Sequence, residues 1–279
     1  MSVINTNVKS LIAQNAAVVN DRSLAKAMQQ LSTGKRINSA ADDAAGLAIS
    51  SRMTAQIRGL NQAVRNANDG ISMLQTTEGS LNEISNMLQR MRELAVQAAN
   101  DTYKSDDRAF LNTEVLQLSA EIKRIADNTQ WNGMNVTNST AATQLSAATF
   151  QVGANSGQII TFAFSDVTTL SGVSIAVANS VLVSTVTAAN VALGDLDTAI
   201  TAVDSYRATL GAKINRLTYA ADNLTNISTN AQASRSRIQD TDYAQATTEL
   251  ARTQIIQQAA TAMLAQANQQ PASVLTLLR

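Results

Sequence analysis

The chain has 279 residues, and Lys+Arg and Asp+Glu stand at 21 each, so no net field draws it toward nucleic acid or anionic lipid. Neither cysteine nor histidine occurs, which removes disulfides, thiolate chemistry, the commonest metal ligand and the commonest general base. Hydrophobic residues make up 45% but aromatic residues only 3%, so burial must come from Ala, Leu, Ile and Val, which suits close helix packing. No run approaches the roughly 18 apolar residues of a membrane span. The N-terminal stretch "MSVINTNVKSLIAQNAAVVND" lacks the pattern of a cleaved secretory signal; taken alone, that test reads as cytoplasmic.

In chain order, the first helix carries a thin stripe of Val8, Leu11, Ile12, Leu24, Met28 and Leu31, with Gly34 as its stop. Ser39, with Asp42 three residues on, is expected to cap a second helix. That helix, over residues 45–99, holds Met53, Leu60, Ala67, Leu74, Leu81, Leu88 and Ala95 at heptad spacing. Ile57, Val64, Ile71, Ile84, Met91 and Ala98 fill the intermediate steps, so a rod of about 80 Å with a partner helix is predicted. Ser105, followed by Asp106 and Asp107, starts a third helix, in which Leu111, Val115, Leu118, Ile122 and Ile125 keep the rhythm.

The composition changes at about Thr129, and from there to Gly194 the only charged residue is Asp166. "TFQVGANSGQIITFAF" reads as a hairpin, because "GANSG" separates β-prone flanks and Ile160, Phe162 and Phe164 alternate. "SGVSIAVANSVLVSTV" is expected to add strand. Helix returns near Ala188, with a stripe of Leu196, Ile200, Val203, Leu210, Ile214, Leu217, Ala221 and Leu224. A last helix from about Asp240 carries Tyr243, Leu250, Ile256, Ala260 and Leu264, and is predicted to end before Pro271, the sole proline. The fold predicted is mainly α: a long antiparallel, coiled-coil-like helical rod with a small β-hairpin region, and paired terminal helices.

No motif carries chemistry. The pairs Asp42-Asp43 and Asp106-Asp107 sit where helices begin and read as caps. "STGKR" at 32–36 lacks the glycine spacing of a phosphate loop. The glycosylation triplets at Asn135, Asn138 and Asn226 are too common to carry a reading. With no His, Cys, Lys, Arg or Glu in 129–187, a catalytic insert is not expected, nor is a cofactor or metal. The two terminal segments are rich in Ala, Asn and Gln, and isolated helices of that kind are marginal in water. Beyond Pro271 the apolar Val274, Leu275, Leu277 and Leu278 follow. Apolar ends of this kind call for cover from outside the monomer, and a repeated contact that does not close a ring builds a helical filament.

Several stretches resemble bacterial flagellin: "VINTNV" at 3–8, "LSTGKRINSAADDAAGLAIS" at 31–50, "RGLNQAVRNANDGISMLQTTEGSL" at 58–81 and "LQRMRELAVQAAN" at 88–100. "FQVGAN" at 150–155, "SRIQDTDYAQATTEL" at 236–250 and "QANQQPASVLTLLR" at 266–279 continue the resemblance. It implies a self-assembling filament subunit of the bacterial flagellum, used for swimming and exported without a cleaved signal, which overrides the cytoplasmic reading. The alternative is the related hook–filament junction protein. Residues 1–44 with 235–279 would form the inner terminal-helix domain, and 45–234 the outer helical domain, with its β region at about 129–187. No large outer domain is expected in so short an insert. The filament-core interface would comprise Val8, Leu11, Ile12, Leu24, Met28 and Leu31 with Leu250, Ile256, Leu264, Val274, Leu275, Leu277 and Leu278. Partners implied are the chain itself, the flagellar export chaperone, and the cap and junction proteins, with no nucleic acid and no membrane insertion. Many members of the family are detected by vertebrate Toll-like receptor 5, and Arg90, Leu94 and Glu114 match its epitope in residue type. Trp131 stands where the family usually has phenylalanine.

Overall fold

The computed structural model describes residues 6–138, 145–178 and 181–276, with side chains described as far as residue 269. The chain falls into two compact units, Met1–Ile57 with Thr229–Arg279, and Arg58–Ser228. Both boundaries lie inside long helices, α2 (Ala44–Ala98) and α5 (Val186–Gln239).

In the unit Arg58–Ser228, the heptad residues of α2 do what their spacing requires. Leu74, Leu81, Ile84, Leu88, Met91 and Ala95 are all buried in one core with Leu196, Val203, Leu210 and Leu217 of α5. Arg92 bonds Asp197 while Asn61 accepts from Ser228 Oγ, so the helices run antiparallel. Helix α3 (Ser105–Asn128) adds Val115 and Ile122 to the core. Asp107 accepts the Lys104 N–H at its start, so this member of the acidic pair is a cap, as its position predicts.

Strands β1 (Gln130–Trp131) and β2 (Met134–Asn135) form a tight hairpin. Asn132 and Gly133 have φ of 48° and 77°, as a two-residue type I′ turn requires. Trp131 lies half-buried against the core. The predicted hairpin is present as β3 (Ala147–Gln151) and β4 (Ile159–Ala163), with Ile160, Phe162 and Phe164 buried. It seats on α2 where side chains are missing. A Cβ at Gly70 would lie 2.9 Å from the Phe150 ring, and one at Gly59 would lie 3.0 Å from Ala154. Between them Asn66 donates to the Gln151 carbonyl at 3.1 Å. Tyr206 of α5 accepts the Ser165 N–H at 3.1 Å, and burial pushes its hydroxyl up to about 12.

Among the described residues of "SGVSIAVANSVLVSTV" the expected strand is not formed: residues Val173–Val177 are a short helix, α4. Val173 and Ala176, three apart, share the buried face, so packing overrides β propensity. Gly172, at φ 81°, enters this turn so close to α5 that a Cβ would meet the Ala199 nitrogen at 2.5 Å.

In the other unit, α1 (Val8–Thr33) ends at Gly34, a left-handed cap whose N–H reaches Gln30 O, as predicted. Ser39 does not cap α2. Asp42 instead gathers the N–H groups of Asn38 and Ser39, the Ser39 hydroxyl and, at 3.0 Å, Lys26 Nζ. Those donors, Lys26 foremost, hold its carboxyl at about 2. The cap falls to Asp43, which accepts the Gly46 N–H at 2.8 Å. The connectors meet where Arg36 N–H donates to Gln239 O and Thr241 N–H to Gly34 O. Helix α6 (Tyr243–Thr276) does not stop before Pro271; it runs through it. A proline in a helix costs one N–H bond, and here the carbonyl it releases, that of Ala267, accepts from the Asn7 amide at 2.8 Å.

Candidate assembly surface

α1 and α6 pair so closely that their Cα atoms repeatedly come within 8 Å. Small side chains permit this. Ser10, Ala13, Ala17, Asn20, Leu24, Ala27 and Leu31 line the seam from α1, at alternating steps of three and four. Ala246, Leu250, Thr253, Gln257, Ala260, Leu264 and Ala267 line it from α6 with the same alternation. Of these only Asn20, Ala27, Ala246 and Thr253 are fully buried.

Apart from Leu24, Leu31, Leu250 and Leu264, the large apolar side chains point away from the seam. Val8, Leu11, Val19 and Met28 are at least half exposed, Ile12 and Met263 each 64%, and Ile255 67%. Ile12, Ile256 and Met263, with Ala16, Ala259 and Ala260, line an open apolar groove along the pair. Among the residues expected at a filament interface, Val8, Leu11, Ile12, Met28 and Ile256 are therefore exposed. Leu24, Leu31, Leu250 and Leu264 are half-buried in the seam. Leu277 and Leu278 lie outside the described residues, as do the side chains of Val274 and Leu275. The exposure of Val19, Ile255 and Met263 escaped sequence reasoning, although all three fall between the seam positions and could have been found by phasing both stripes on Asn20 and Thr253.

The other candidate surface lies in the unit Arg58–Ser228. Arg90 bonds Glu93 at 3.0 Å and Glu114 at 2.9 Å, and both bonds raise its guanidinium further. Arg90 and Glu114 are thus brought together across α2 and α3 on an exposed face. Leu94 is not with them. It is 1% exposed, within the core beside Met91 and Ala95, because it follows Met91 on the buried stripe. As a surface contact it is corrected to a buried support. Phe110 of α3 is 75% exposed. Among the described residues no helix is long and apolar enough to cross a membrane, and no cluster of acidic side chains could hold a metal.

A helix pair that buries alanine and turns its isoleucines and methionines to solvent, in a chain whose other unit has a conventional apolar core, defines a self-associating structural subunit. Residues 4–142 match the bacterial flagellin N-terminal helical region and residues 193–278 the C-terminal helical region. The flagellin of Halalkalibacterium halodurans is 48% identical over 277 residues, covering 99% of this chain and all of its own length. The flagellar filament 33 kDa core protein of Treponema phagedenis is 43% identical over 285 residues, with the same coverage. The crystal structure of Bacillus cereus flagellin superposes with a TM-score of 0.52 at 34% identity, covering 61% of this chain and 94% of that one. The chain belongs to the bacterial flagellin family, in a short form without large outer domains. It is a structural subunit of the extracellular flagellar filament that drives swimming, and this extent of identity favours that role over the junction protein.

Proposed function

We propose that the paired terminal helices α1 and α6, with the residues beyond Thr276, form the core of the filament, and that neighbouring copies cover their outward apolar side chains. The exposure of Leu11, Ile12, Ile255, Ile256 and Met263 carries this reading, since such a face costs free energy in water and gains it on burial at about 25 cal/mol per Å². On this reading residues 1–44 and 235–279 make the inner domain and 45–234 the outer one. The subunit leaves the cell without a cleaved signal, accompanied by an export chaperone, and polymerises beneath a cap. Deleting residues 269–279, or replacing Leu264 and Leu277 by Asp, abolishes polymerisation after nucleation with filament fragments, while circular dichroism stays helical. Normal tubes from these variants by electron microscopy overturn the assignment.

The exposed Arg90–Glu114 pair favours a second role for the same subunit, as a ligand of Toll-like receptor 5 when monomeric. Arg90→Ala lowers receptor-reporter activation by monomer, and intact filament activates less than monomer. Equal responses across parent, variant and filament reject it.

A further inference from the structure

The hairpin β3–β4 carries a hazard together with the side chains that hold it in check. Residues 158–164 read "QIITFAF", seven in a row with no charge, proline or glycine. Segments of that composition pair with their own kind wherever a strand edge lies open. Between Thr129 and Gly194 the chain has no lysine, arginine or glutamate to guard them, and Asp166 is the one charge. The sheet has two strands, so each of them is an edge.

The ladder fixes which backbone groups face outward. Phe164 N–H donates to Ser146 O at 3.0 Å, and Val152 N–H to Gln158 O at 2.9 Å. With Ala148 opposite Phe162 and Phe150 opposite Ile160, these pairs bond across the hairpin. The pairs between them turn their N–H and C=O groups to the outer edges. Thr161, opposite Thr149, belongs to that second set, and it is the middle residue of "QIITFAF". Its carbonyl accepts from Lys213 Nζ of α5 at 3.2 Å. On the other edge, the outward carbonyl of Gln151 accepts from Asn66 of α2 at 3.1 Å. That amide is itself oriented, since Asn66 Oδ1 accepts from Gln62, whose own oxygen accepts from Arg65. Each edge thus meets a helix side chain on a carbonyl that an added strand would need.

We infer that the outer edge of β4 is a latent pairing surface for the same segment of a second copy, and that Lys213, with Asn66 on the opposite edge, keeps the hairpin closed to it. An incoming strand has to displace a charged amine from the Thr161 carbonyl, and a hydrogen bond to a charged donor is among the stronger ones. Lysine is a common guard of exposed edges. Here it comes from a helix, 52 positions further along the chain, because the insert has none of its own.

Full-length monomer without filament seeds tests this. Lys213→Met removes the charge and the donor and keeps an apolar stem. It raises β-type self-association, read as thioflavin fluorescence and as the infrared band of intermolecular sheet, by about tenfold over the parent at equal concentration, the factor that one charge-assisted hydrogen bond represents. Lys213→Arg stays at the parental level, and Asn66→Ala gives a smaller rise. Thr161→Pro removes an outward N–H and no bond within the hairpin, so it returns the Lys213→Met chain to the parental signal. Equal signals from the parent and Lys213→Met overturn the inference. So does a rise that Thr161→Pro leaves intact, because it then comes from unfolding and not from this edge. Where Lys213→Met does not fold, Lys213→Ala decides by the same criterion. Polymer built from the helices gives neither signal, so success or failure of filament formation bears on the function proposed above and not on this edge.

Discussion

The seam between α2 and α5 and the seam between α1 and α6 share one rhythm of threes and fours, but they bury side chains of different average size. In the first, Leu74, Leu81, Ile84, Leu88 and Met91 face Leu196, Leu210 and Leu217. In the second, alanine, serine, threonine and asparagine meet with only four half-buried leucines, Leu24, Leu31, Leu250 and Leu264, while Leu11 and the isoleucines and methionines of the pair face solvent. The first unit closes its core within one chain. The second leaves a surface whose burial needs further copies, so spacing reports where a helix contacts its partner and side-chain size reports whether that contact is final.

The comparison breaks most sharply if the terminal pair is dispensable. The Ile12→Asp, Ile255→Asp chain should form no polymer detectable by sedimentation, whereas polymer at the parental level would mean that the outward face is ornamental. Next, Leu81→Ala and Leu88→Ala should each cost about 2–5 kcal/mol in urea unfolding, as buried leucine truncations do. The exposed Leu11→Ala and Ile12→Ala should change monomer stability by less than about 0.5 kcal/mol, yet raise the protein concentration needed for assembly. Equal destabilisation at Leu81 and Ile12 would erase the contrast. Gly70→Ala should cost about 1–3 kcal/mol by overpacking, because the new methyl meets the Phe150 ring; a stability equal to the parent would mean that the ring yields freely.

The smallest expected effect concerns acid. Asp42 has a folded pKa of about 2, below its ordinary 3.8, chiefly through Lys26. A depressed carboxyl pKa stabilises the folded state above the unfolded value, and that contribution fades as pH falls from about 4 toward 2. Asp42→Asn should therefore flatten the decline of the urea midpoint across that window, and an unchanged slope would show that the Ser39–Asp42 turn has no stake in acid stability.

Much of this was legible from residues. The heptads of α2 and α5, the Gly34 stop, the Asp107 cap and the β3–β4 hairpin all followed from local pattern, because each is decided by side chains near in sequence. The β1–β2 hairpin was also legible in its Asn-Gly pair and was missed. Other features depended on distant partners. Val173 and Ala176 became helical because a core was there to receive that face. Asp42 lost the capping role to Asp43 because Lys26 and the local amides claimed it. Leu94 belongs to the buried stripe of α2, so residue type matched the receptor epitope while burial removed its side chain from the surface.

The sequence by itself determined the helical periodicity, the uncharged β insert and the membership of the flagellin family, since these depend on residue order alone. Only the tertiary structure decided which stripe of each terminal helix turned inward, and with it how Pro271 could sit within a helix. The reason is that the partners in that seam, Asn20 with Thr253 and Asn7 with Ala267, lie more than 200 positions apart, so no local pattern reports their meeting.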